Sequence, residues 1–156
     1  MEETILMTEN NLAELLKVVL ANSFAFRIKS QYYHWNIEGA DFAQYHTFLG
    51  DLYTEVDGAV DQIAEHIRTL DVYVPGSFGR FSELSEIEDE QTIPSAHEML
   101  KRLLTDNDRL INSMIKAHSA AEEQNKLGII NFLEGRIDIH DKHGWMLRSL
   151  VKREIK

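Results

Sequence analysis

The chain contains no cysteine. That excludes a disulfide framework, thiolate metal sites and cysteine nucleophiles. Its two prolines, Pro75 and Pro94, fall at a loop signal and at a helix start. No run of 18 apolar residues occurs, so no membrane span is expected. Basic residues are scarce: 16 Lys and Arg stand against 26 Asp and Glu, giving a formal net charge of −10. None precedes Lys17, and the acidic start Met1-Glu2-Glu3-Thr4 does not read as a signal peptide. The expected location is cytoplasmic. An acidic surface argues against nucleic acid as a primary partner. It suits either the attraction of cations or simple solubility.

What is present is helical periodicity. A length of 156 residues suggests a single domain over 1–156, able to bury roughly 68–70% of its unfolded surface. A short acidic tail, 1–7, leads to Thr8 as a plausible N-cap. Leu12, Leu15, Leu16, Val19, Ser23, Phe26 and Tyr33 then trace one helical face. Gly39 breaks that pattern and permits a tight reversal. Tyr45, Phe48, Leu49, Leu52, Val56, Ala59, Val60, Ile63 and Ile67 mark the face of a second helix, about 40–70. Pro75 and Gly76 signal a loop. Phe81, Leu84 and Ile87 suggest a short helix inside the acidic connection 81–92, whose charges read mainly as a solvated face. Pro94 and Ser95 open a third long helix reaching about 122 or 123, and the fourth carries Ile130, Leu133, Ile137, His140, Gly144, Leu147 and Val151. The result is all-α. It is a four-helix bundle with one long crossover between the second and third helices, the connectivity of ferritin-like folds.

Residues 34–65 hold the chemistry. His34 lies five residues before Gly39 and His46 seven after it. In an antiparallel hairpin these two histidines stand at the same level. Asp57, Asp61 and Glu65, spaced i, i+4 and i+8, form one stripe of the second helix. His46 and Asp61 are separated by about 22 Å of helix rise, far beyond the reach of one metal ion with ligands at about 2.0–2.2 Å. Either histidines and carboxylates are unrelated, or a second copy packed antiparallel about a two-fold axis near Tyr53 and Thr54 completes the site. Imidazole with carboxylate suits Fe, Zn or Mn better than Ca or Mg. No glutamate is followed by histidine three residues later, so the usual intrasubunit di-iron motif of ferritin-like bundles is absent.

The segment HWNIEGADFAQYH, with Asp61 and Glu65 beyond it, resembles the Dps proteins (DNA-binding proteins from starved cells), or miniferritins. DKHGWMLR at 141–148 resembles their last-helix motif. The resemblance covers nearly the whole chain. It implies a hollow homododecamer of tetrahedral symmetry with ferroxidase centres at two-fold interfaces. There, His34 and His46 of one subunit would meet Asp61 and Glu65 of its partner. It implies oxidation of Fe(II), commonly by hydrogen peroxide, and storage of ferric mineral, with zinc or another divalent metal able to substitute. Trp35 flanks the site and either accepts an oxidising equivalent or is an interface aromatic. Asp57 and Asp51 are surrounding carboxylates. Where the family usually has aspartate four residues after the second histidine, this chain has Gly50, and Asp51 points about 100° away. A shell with an impaired metal centre therefore remains an alternative, as does a DNA-compacting shell. DNA binding is not expected, because Lys152, Arg153 and Lys156 form only a small basic group. His66, His97, His118, His140 and His143 are surface or core residues, with His140 and His143 spaced to bind a metal. Glu134, Asp138 and Asp141 are candidates for a pore lining.

Overall fold

The computed structural model describes residues 2–152, with side chains from residue 11 onward. Among the described residues there are five helices and no strand: α1 (Glu2–Asn36), α2 (Phe42–Arg68), α3 (Phe78–Leu84), α4 (Ala96–Glu123) and α5 (Leu127–Val151). α1 lies against α2, α3 and α4, and α4 against α5. α1 with α2 and α4 with α5 are hairpins joined by short turns, and residues 69–95 form the crossover that carries α3.

The two hairpin turns use backbone conformations that few residues adopt. Gly39 has φ +122° between α1 and α2, and Asn125 has φ +55° between α4 and α5. Glycine reaches the first without steric cost and asparagine tolerates the second. α4 starts as its sequence suggests: Ser95 accepts a hydrogen bond from the Glu98 amide at 3.2 Å. The core gathers the periodic faces. Leu12, Leu16, Phe26 and Tyr33 from α1 meet Leu49, Leu52, Val56, Ile63 and Ile67 from α2, Leu103, Leu110 and Met114 from α4, and Leu133 and Leu147 from α5.

Two boundaries differ from the sequence reading. α1 begins at Glu2, so residues 2–7 are helix, not a tail ending at a Thr8 cap. No glycine or proline precedes Gly39, and nothing in the local sequence stops the helix from continuing outward. The crossover helix ends at Leu84, leaving Ile87 buried but outside it. Ser85 turns extended, and side chains of α1 take over the backbone bonding. Asn22 Oδ1 accepts from the Glu86 amide at 2.7 Å, Lys29 Nζ donates to the Glu88 carbonyl at 3.0 Å and Tyr32 Oη donates to the Thr92 carbonyl at 2.8 Å. These anchors lie about sixty residues away in sequence, so local periodicity carries no sign of them.

Candidate metal centre at the helical hairpin

His34 sits in the last turn of α1 and His46 in the second turn of α2. The hairpin stacks their rings, with centroids 3.8 Å apart and planes within 14°. Each histidine donates to the other's backbone. His34 Nδ1 bonds the His46 carbonyl at 2.6 Å, and His46 Nδ1 bonds the His34 carbonyl at 2.8 Å. A carbonyl can only accept, so both Nδ1 atoms carry the proton. In the neutral rings both Nε2 atoms are then lone-pair donors, the tautomer that a metal-ligating imidazole needs. The His34 carbonyl lies among the four that a helix C-terminus leaves unpaired, and His46 satisfies it. Phe42 flanks the His46 ring at 5.0 Å, and Tyr53 flanks the His34 ring at 5.4 Å.

Asp51, Asp57, Asp61 and Glu65 are exposed along α2. Asp57 is paired with Arg27 of α1 at 3.1 Å. Asp61 and Glu65 lie further along the same continuous helix as His46, so one chain does not bring them to the histidine pair. Among the described residues no group of three or more His, Asp or Glu gathers into a metal-holding set within the single chain. Trp35, next to His34, is 66% exposed. It adjoins a groove of about 700 Å³ between α1 and the crossover, with Phe24, Ile28, Phe78 and Phe81 in its walls.

A second polar cluster lies inside the bundle, joining Glu55 of α2, Asn107 of α4 and Arg136, His140 and His143 of α5. Arg136 forks onto Glu55 at 2.6 and 3.0 Å and also donates to His140 Nε2 at 2.9 Å. His140 Nδ1 donates to Asn107 Oδ1 at 2.8 Å, and His143 Nε2 bonds Glu55 at 2.8 Å. Both nitrogens of His140 are thus taken, and the pairing of His140 with His143 as metal ligands is overturned. Burial first, then the Arg136 charge, holds the His140 pKa down at about 3. Burial alone would raise Glu55, but the bonds from His143 and Arg136 outweigh it and hold Glu55 at about 2. The spacing of Arg136, His140 and Gly144 as one stripe of α5 was the available signal. A Cβ at Gly144 would come within 3.1 Å of Asn107, so glycine there admits the asparagine.

The remaining residues are placed as follows. His66 is half-buried against Phe132 at 4.6 Å, and burial lowers its pKa. His97 is half-buried near the start of α4. Glu134, Asp138 and Asp141 share a shallow groove with His118, which bonds Glu122 at 2.9 Å and Glu134 at 3.2 Å. Arg153 and Lys156 lie outside the described residues.

Residues 13–155 match the ferritin-like domain family, and the chain belongs to it. Within that family it is a Dps-type miniferritin. The crystal structure of the Dps protein of Vibrio cholerae O1, described as a member of a broad superfamily of ferritin-like diiron-carboxylate proteins, superposes with a TM-score of 0.89 at 25% identity, covering 94% of this chain and 92% of that one. Antigen TpF1 of Treponema pallidum gives a TM-score of 0.90 at 26% identity, covering 94% and 95%. In sequence the chain is 32% identical over 141 residues to a low temperature-induced protein of Nostoc sp., 88% of this chain and 78% of the relative. It is 26% identical over 140 residues to the DNA protection during starvation protein of Brevibacillus brevis, 90% and 94%. No described helix is long and apolar enough to cross a membrane.

Proposed function

We propose that this chain oxidises Fe(II) at centres shared across a two-fold interface and stores the ferric product inside a dodecameric shell. The observation that carries this reading is the locked histidine pair, with both Nε2 lone pairs free. The carboxylates that complete the donor set, Asp61 and Glu65, are exposed on the same helix and become neighbours of a partner's histidines when two α2 helices pack antiparallel. Iron is the substrate. His34 and His46 supply neutral nitrogen, and Asp61 and Glu65 offset the ion's charge. With hydrogen peroxide as oxidant, two Fe(II) each give one electron, the O–O bond breaks, and two protons are taken up to form two waters. Trp35 stands beside the pair, either as a reserve electron donor or as part of the contact between subunits.

The apolar groove supports the shared arrangement. Phe78 is 80% exposed and Trp35 66%, and burying both against a second copy is favourable at roughly 25 cal/mol per Å² of apolar surface. Sedimentation of freshly purified protein tests the proposal directly. The oxidising species is expected to be a dodecamer, and no species smaller than a dimer is expected to oxidise Fe(II) rapidly. A monomer active at the full rate would refute the shared centre. Because the chain is strongly acidic, oxidation at low Fe(II) should also slow as salt screens the attraction.

Relatives carry DNA in their names, but this chain's charge points elsewhere. It has no basic residue before Lys17, and phosphate binding draws on clustered lysine and arginine. No mobility shift of duplex DNA is expected at physiological salt. A tight, salt-sensitive shift would contradict that.

A further inference from the structure

Gly50 lies in the middle of α2, one turn after His46. Helix propensity favours almost any other residue at such a position, so a mid-helix glycine calls for a packing reason. The reason is His34. A Cβ built on Gly50 would stand 3.0 Å from His34 Cε1 and 3.3 Å from its Nδ1. The first is tighter than nine in ten real Cβ contacts, so the His34 ring would have to give by a few tenths of an ångström, and it is held where it lies. The His34 ring is stacked on His46 at 3.8 Å on one side, and its Nδ1 is bonded to the His46 carbonyl at 2.6 Å. Tyr53 closes another side. By contrast, a Cβ at Gly58, also on α2, would meet nothing within 4 Å.

We propose that Gly50 is the seat of His34, a positioning residue that holds the stacked imidazole pair in place and limits each shared centre to one tightly held divalent cation. The proposal rests on the shared-centre reading above. Glycine supplies no carboxylate at this position, and the His34 ring lies against the surface of α2 that it leaves open. A side chain at position 50 and the His34 ring in its present place compete for the same space. A carboxylate introduced at position 50 brings its own Cβ and presses the ring out of its present place. It therefore does not add a second strong metal position to an otherwise unchanged site.

Two measurements on the assembled protein test this. Co²⁺ titration, followed by heat and by ligand-field absorption, should show one strong equivalent per centre in the wild type. Gly50→Ala should weaken that binding by about ten- to a hundredfold, the loss seen when a group orienting a metal-bound imidazole is removed. Gly50→Asp should gain no second strong equivalent. Unchanged affinity in Gly50→Ala, or two strong equivalents in Gly50→Asp, would overturn the proposal. A crystal structure of metal-free Gly50→Ala decides the seat without reference to metal. The His34 ring is expected off the His46 carbonyl, and a retained Nδ1 bond with the ring unmoved sinks the idea. Failure of the wild type to bind any Co²⁺ would instead strike the shared-centre reading, and the crystal structure would then decide the role of Gly50.

Discussion

Protein carrying His46→Ala together with Glu65→Gln assembles normally and loses rapid Fe(II) oxidation by at least about a hundredfold. That is the upper range for removing a group that merely supports a metal ligand, and here two proposed ligands go at once. Both side chains lie outside the fully buried core, so the bundle should survive. The sharper form of the experiment uses the two single variants separately and mixed. Each alone has a defect at every shared centre. In a mixed dimer, one centre receives both defects and the other receives neither if, as proposed, histidine and glutamate come from opposite chains. Random reassociation makes about half the dimers mixed, so about a quarter of the centres are restored. Activity near a quarter of wild type in the reassembled mixture, absent from either parent, is the expected result. No recovery after verified subunit exchange would place the reaction within a single chain.

Arg136→Ala is expected to cost about 3 kcal/mol. Removing one partner of a buried ion pair costs about 3–5 kcal/mol, and the lower end applies because Glu55 keeps about a third of its side chain in water. At fixed protein concentration the thermal midpoint should fall by roughly 6–12 °C. The same cluster makes the protein acid-sensitive. His140 is held neutral down to about 3, so the unfolded chain binds a proton below its ordinary value near 6.5 that the folded chain refuses. Stability therefore falls as pH drops from about 6.5. Glu55, ionised down to about 2, adds a slope of the same sign below about 4.5. Each contributes up to about 1.4 kcal/mol per pH unit within its window. His140→Gln should flatten the midpoint's decline between pH 6.5 and 4.5 relative to wild type. An unaltered slope would remove His140 from the account.

The parts of the fold that sequence makes legible are those set by local spacing. The α2 face, the Ser95 cap and the chain reversal at Gly39 all follow from neighbours within a turn or two. The meeting of His34 with His46 follows too, because a short hairpin equates distance from the turn with height along the helices. The parts that escaped depend on partners far apart in the chain. Glu55 and Arg136 are 81 residues apart, and no pattern at either end announces the other. The crossover past Leu84 is shaped by Asn22, Lys29 and Tyr32, not by its own residues. Gly50 was visible only as a missing carboxylate. That glycine also opens space for His34 depends on how closely α1 and α2 approach, which sequence alone does not give.

The crossed bonds between His34 and His46 have a consequence for how tightly an ion can be held. A side chain that swings freely must give up rotational freedom when it binds, on the order of 0.5–1.5 kcal/mol for each one immobilised at a contact. These two rings have no such freedom left, since each is fixed to the other's backbone and the pair is stacked. The ordering is completed when the hairpin folds, before any metal arrives. Turning either imidazole would break its bond to the other histidine's carbonyl and the stacking of the pair. In the proposed shared centre the nitrogen half would therefore act as a rigid two-toothed claw, and adjustment to the incoming ion would fall to the more exposed carboxylates of the facing chain.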